Sequence, residues 1–234
     1  VRKKKTSRLT KAKQPFHFYT RLNLIEFTGK KATNLRELVK IMKEVPGSVI
    51  YHHTHHYLQQ HLYLSPEPPN DFAYWVTYIL REDELGEEIA SIDLCEFSTI
   101  RSLREKIIHT IEEHLAGNPE TLRTAPPGAE FHFFKTITFI LPTPYIAGDL
   151  LEFLKALRKI SIHSIYFHMF EAKLRLEKGE NDFSRWIEDM LREKELAREI
   201  AKFDPYTFTM EGLRSELCRL ITKHIPGEII ECQK

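Results

Sequence analysis

The tripeptide Phe16-His17-Phe18 returns as Phe131-His132-Phe133, an offset of 131 − 16 = 115. The same offset aligns Ala32 with Ala147, Leu35 with Leu150, Glu37 with Glu152, Lys40 with Lys155, Ile50 with Ile165, Tyr51 with Tyr166 and His53 with His168. The offset then shortens to 181 − 70 = 111, where Asn70-Asp71-Phe72-Ala73-Tyr74-Trp75 meets Asn181-Asp182-Phe183-Ser184-Arg185-Trp186. Between 70–93 and 181–204, 13 of 24 positions are identical, far beyond chance. Self-similarity at a fixed offset constrains a fold more than any single motif. The chain therefore reads as a tandem duplication, with residues 16–115 and 131–225 as its two copies. Residues 116–130 hold Gly117, Asn118, Pro119, Pro126, Pro127 and Gly128, the composition of a linker. Residues 1–15 are expected to form a basic flexible tail and 226–234 a C-terminal tail.

Each copy reads as one strand followed by helices. The aromatic and β-branched runs Phe16–Phe27 and Phe131–Leu141 predict strands, the second stopped by Pro142 and Pro144. Asn34 and Asp149 suit the caps of a first helix, whose Leu35, Leu38, Val39 and Met42 recur at helical spacing. Ser48 and Ser164 suit the start of a second helix, the one that carries the histidines. Asn70 and Asn181 suit caps for a third. Asp83–Ile92 and Lys194–Phe203 read as a fourth, closed by Asp93 and Asp204. Thr99 and Thr209 suit the start of a last helix. The fold class expected is mainly α with a short β element (α+β), two related units packing about a pseudo-twofold axis as homodimers do.

Bulk properties exclude several classes. The 42% hydrophobic and 29% charged content is that of a globular chain. No apolar run reaches the ~20 residues of a membrane helix, and the basic start is not followed by the apolar stretch of a secretion signal. Three isolated cysteines argue against a disulfide framework and for a cytoplasmic protein. Residues 1–13 carry seven basic groups and no acid, so the body holds +1 − 7 = −6. Such an arm could bind nucleic acid, but the acidic body opposes phosphate and makes that partner the weaker expectation.

Five of twelve histidines fall at 52, 53, 55, 56 and 61. On a helix, residues three apart share a face. His53 with His56, and His168 with Glu171, are therefore a candidate ligand set for a divalent transition metal, if the two histidine helices converge. The competing reading makes His53 and His168 core histidines, each hydrogen-bonded to a neighbour such as Asp71 or Asp182. Those two aspartates, with Tyr51 and Tyr166, are also the candidates for catalytic proton transfer. The expected pocket takes His53, His168, Tyr51, Tyr166, Asp71, Asp182, Trp75 and Trp186. Phosphate loops, nucleophile elbows and dinucleotide fingerprints are missing from the sequence.

Tyr51-His52-His53-Thr54-His55-His56, Pro68-Pro69-Asn70-Asp71-Phe72-Ala73-Tyr74-Trp75-Val76 and Ala125-Pro126-Pro127-Gly128 ahead of Phe131 resemble an uncharacterised prokaryotic domain family of unknown function. That resemblance spans nearly the whole chain. It implies thermophilic bacterial or archaeal relatives and a link to carbohydrate metabolism, and it brings no activity, cofactor or catalytic residue. The expected function is a non-catalytic binding or regulatory module, for a small molecule or a protein. The alternative is a metal-dependent, hydrolytic enzyme, carbohydrate-related if the resemblance guides it.

Overall fold

The computed structural model of the chain describes residues 9–60, 70–119, 123–172, 180–203 and 207–227. Asp204, His61, Pro68 and Pro69 lie outside them, as do residues 1–8 of the basic arm and 228–234 of the C-terminal tail. The fold is α+β: a two-stranded antiparallel sheet and, among the described residues, ten helices. β1 spans Phe16–Ala32 and β2 Phe131–Ala147. After β1 come α1 (Leu35–Glu44), α2 (Gly47–Gln60), α3 (Asp71–Tyr74), α4 (Asp83–Ala90) and α5 (Ile100–Gly117). After β2 come α6 (Leu150–Leu157), α7 (Ile162–Tyr166), α8 (Asp182–Trp186), α9 (Lys194–Ala201) and α10 (Met210–Lys223). Wider π turns prolong α3 over Trp75–Ile79, α7 over Phe167–Glu171 and α8 over Ile187–Leu191.

Two compact units form, and they cut across the sequence copies. Unit 1 joins residues 1–21 to 140–234, and unit 2 is 22–139. Each strand thus starts in one unit and ends in the other. In unit 1, Phe16 packs on Phe153 and Phe183 at 5.5 Å between ring centres. In unit 2, Phe131 stacks on Phe72 at 5.1 Å. The start of β1 therefore packs on helices that follow β2, and the start of β2 on helices that follow β1.

Helix starts follow the caps. Asn34, Thr99, Asp149 and Thr209 each accept an amide in the first turn. In the second copy, Ser161 caps α7 in place of the expected Ser164. The strands are longer than expected. β2 continues through Pro142 and Pro144 to Ala147. In a two-stranded sheet both strands are edges, so two prolines spaced by two can face their missing N–H groups outward without losing a ladder bond.

In unit 2, α4 approaches the π turn of α3 at Gly86. A Cβ there would overlap the Thr77 hydroxyl and stand 3.2 Å from the Thr77 Cα. Unit 1 has Ala197 and Glu188 at these places, so the close approach belongs to unit 2. Alanine improves helix propensity by about 1 kcal/mol over glycine, but overpacking costs about 1–3 kcal/mol. Gly86→Ala should therefore destabilise the protein, and Thr77→Ala in the same chain should recover most of the loss in urea unfolding. A neutral or stabilising G86A would show that the contact relaxes freely.

Candidate functional site

The repeated Asn-Asp-Phe-x-x-Trp segment and the paired histidine assemble into one motif in each unit. In unit 1, Asn181 accepts the Ser184 amide at 2.8 Å and donates to the Ile200 carbonyl at 3.4 Å, fixing α8 to the end of α9. Asp182 holds Nδ1 of His168 at 2.8 Å. The Tyr19 amide donates to Nε2 of the same ring at 2.8 Å. Trp186 Nε1 donates to the Gln14 carbonyl at 2.9 Å, just ahead of β1. Unit 2 repeats this: Asn70 caps at Ala73 and reaches Ile89, Asp71 holds His53 at 2.8 Å, Phe134 donates to its Nε2 at 3.0 Å, and Trp75 reaches Ala129 at 2.8 Å.

This geometry fixes the tautomer. A backbone amide can only donate, so Nε2 of each histidine must offer its lone pair, and Nδ1 carries the proton that goes to the aspartate. Both rings are buried and stack among phenylalanines, His168 on Phe183 at 5.3 Å and His53 near Phe131 at 4.7 Å. Each histidine thus clips an amide of a strand onto the N-terminus of a helix. With both ring nitrogens engaged, neither imidazole has a lone pair to give a metal or to take a substrate proton.

Within the expected metal set, His168 in unit 1 and His53 in unit 2 each have both ring nitrogens engaged in their own unit. Glu171 pairs with Arg21, whose side chain is almost wholly buried, and a guanidinium at that carboxylate disfavours a cation. The side chain of His56 lies outside the described residues. A different trio, His52, His53 and Asp71, has ligand-type atoms within 4.8 Å of one another. Its His53–Asp71 edge is already the Nδ1–H hydrogen bond, and Nδ1 of His52 bonds Thr136 Oγ1 at 2.9 Å. Moving a metal onto His53 Nδ1 would force a proton onto Nε2, against the Phe134 amide.

Tyr51 and Tyr166 are buried. Tyr51 stacks on His55 at 5.1 Å, and Tyr166 lies 4.5 Å beneath the Arg21 guanidinium and packs on Phe170. Of the expected pocket residues, His168, Asp182 and Trp186 line a cavity of about 590 Å³ in unit 1, with Pro15, Phe16, His17, Tyr19, Ile140, Phe167, Arg185, Asp189 and Met190. Two π turns border it, supplying Phe167 and His168 from one and Asp189 and Met190 from the other. Such turns often mark functional sites. The second one closes at Arg192 with φ 66°, a left-handed conformation costly for any residue with a Cβ, and Arg81 repeats it in unit 2 with φ 59°. At the matching places of unit 2, Tyr74 and Tyr78 replace Arg185 and Asp189 and pack at 4.9 Å, both well exposed. The sequence offers no signal for the Arg21–Glu171 pair or for the π turns.

The C-terminal part of the expected tail is held. The Ala12 amide donates to the Gly148 carbonyl at 2.7 Å, and Lys11 pairs with Asp149 at 2.7 Å and Glu152 at 3.1 Å. These partners lift the Lys11 ammonium above its ordinary value. Burial by itself would raise the Asp149 carboxyl, but the Glu152 amide and Lys11 outweigh it and leave the group below its usual range. Lys11 is thus paired within the chain. Among the described residues no helix is long and apolar enough to cross a membrane.

Residues 13–222 match the model of a family described as "Family of unknown function (DUF5752)". The structure of OrfY from Thermoproteus tenax superposes with a TM-score of 0.78 at 30% identity, over 92% of this chain and 98% of that one. No curated protein matches the chain.

Proposed function

The chain belongs to the DUF5752 family, which carries no stated activity, and from its residues we propose that it is a cytoplasmic, non-catalytic binding or regulatory module. The observation that carries this reading is the cavity of unit 1. Its volume of about 590 Å³ lies within the range of small-molecule pockets. Trp186, Phe16 and Phe167 give it apolar walls, and Arg185 and Asp189 place one charge of each sign within it. His168 is occupied on both ring nitrogens, by Asp182 and by the Tyr19 amide. His17, Arg185 and Asp189 are the polar groups left in the lining to recognise a ligand.

Trp75→Phe leaves Trp186 as the one tryptophan and makes it a reporter of the cavity. The probe is the fluorophore 1-anilinonaphthalene-8-sulfonate. The expected result is saturable energy transfer from Trp186 with about one probe per chain, weakened at least tenfold by Met190→Asp. Transfer that is absent, or unaffected by M190D, overturns the cavity as the binding site. Elemental analysis of untagged protein separates this reading from the metal enzyme. Metal at one equivalent or more, lost in a His53→Ala, His168→Ala double variant, would favour the enzyme.

A further inference from the structure

Ten of the twelve large hydrophobic side chains that stand exposed among the described residues lie on β1 and β2. In unit 2 four of them form one face, while Ile25 and Phe27 stand on the other. The Asn23 side chain meets Thr138 at 3.0 Å, and Glu26 meets Lys135 at 3.0 Å. Both contacts fit one antiparallel register, which sets Leu22 across from Phe139 and Leu24 across from Ile137. Side chains alternate along a strand and pair across it. Leu22, Leu24, Ile137 and Phe139 therefore share a face, rimmed by Glu26 and Lys135. Their exposures are 52%, 51%, 37% and 47%.

We propose that this face of the ribbon is the contact between two copies of the chain. Four half-exposed large side chains present on the order of 400 Å² of apolar surface, within the range that marks interaction sites on monomers. A standard interface covers about 800 Å² on each partner, a little over half of it apolar. The patch with its polar rim matches that requirement. The rim is also self-complementary, because Glu26 and Lys135 contribute one charge of each sign, and a second copy brings the same pair. An acidic or basic partner would find no net field there. A twofold contact of this kind closes on itself, so it yields dimers rather than filaments. The histidine clips act in the same direction, since each engages an outward amide of the ribbon and so discourages edge-to-edge pairing.

The experiment is light scattering of the full chain across a dilution series, paired with a Leu24→Lys, Phe139→Glu variant. The wild type is expected at twice the monomer mass of 27.6 kDa at tens of micromolar, and the variant at the monomer mass with an unchanged unfolding midpoint. A monomeric wild type at every concentration overturns the proposal, as does a variant that stays dimeric. If the variant fails to fold, hydrogen exchange on the wild type decides. Amides over 22–27 and 137–139 should exchange at least tenfold faster on dilution below the dissociation point. Exchange that does not depend on concentration there overturns the proposal as well.

Discussion

Replacing His168 with alanine should lower stability by about 3–5 kcal/mol, the sum of a large-to-small truncation in an aromatic core and two hydrogen bonds lost by part-buried groups. The ring lies among Phe16, Phe167 and Phe183. Its removal takes the acceptor from the Tyr19 amide and the donor from Asp182. For a chain of this size the shift in melting temperature is on the order of 10 °C. His53→Ala should behave alike in unit 2, where the Phe134 amide and Asp71 lose the same partner. A glutamine at either position can still accept at the Nε2 site and should recover part of the loss. The measurement is thermal and urea unfolding, with and without a chelator. A loss below about 1 kcal/mol, or a chelator effect on the wild type equal to that of the substitution, would contradict the role of these rings as clips.

Asn181→Ala should cost about 1.5–2.5 kcal/mol. The first contribution is the helix cap, about 1 kcal/mol, and the second is the lost side-chain bond to the Ile200 carbonyl, which keeps backbone amides as donors, about 0.5–1.5 kcal/mol. The side chain is nearly inaccessible and serves both groups at once. Serine keeps an acceptor for the cap but does not reach Ile200, so Asn181→Ser should fall between wild type and alanine. Asn70 makes the same two bonds in unit 2, and its alanine variant should match within experimental spread. If serine and alanine prove equally destabilising, the cap contributes nothing and the bridge to α9 is the whole effect.

What the sequence makes legible is local. Helix caps at Asn34, Thr99, Asp149 and Thr209 can be read from residue type and spacing, because each is one side chain acting on the next turn. The aspartate partners of His53 and His168 are also readable, as one of two alternatives, since a buried imidazole must find a partner. The rest depends on distant backbone. No pattern announces that the other ring nitrogen meets an amide of Tyr19 or Phe134, because the amide has no sequence signature. The strands outrun their expected ends because Pro142 and Pro144 are tolerated on an edge, and edge status is a property of the finished sheet. The partner of Glu171 is hidden for a related reason: the side chain looks available until Arg21, 150 positions away in the chain, meets it.

The division of each strand between the two units sets a timetable for synthesis. Unit 2 needs residues up to 139 before its helices α1–α5 are covered, so all five leave the ribosome ahead of the strand segment that closes their core. Unit 1 waits longer still, because Phe16 and Phe18, made first, pack against Phe153 and Phe183, made more than a hundred residues later. Neither unit can seal its core until a strand segment distant in sequence has been made, so the apolar faces of its first helices stay open to solvent in the meantime.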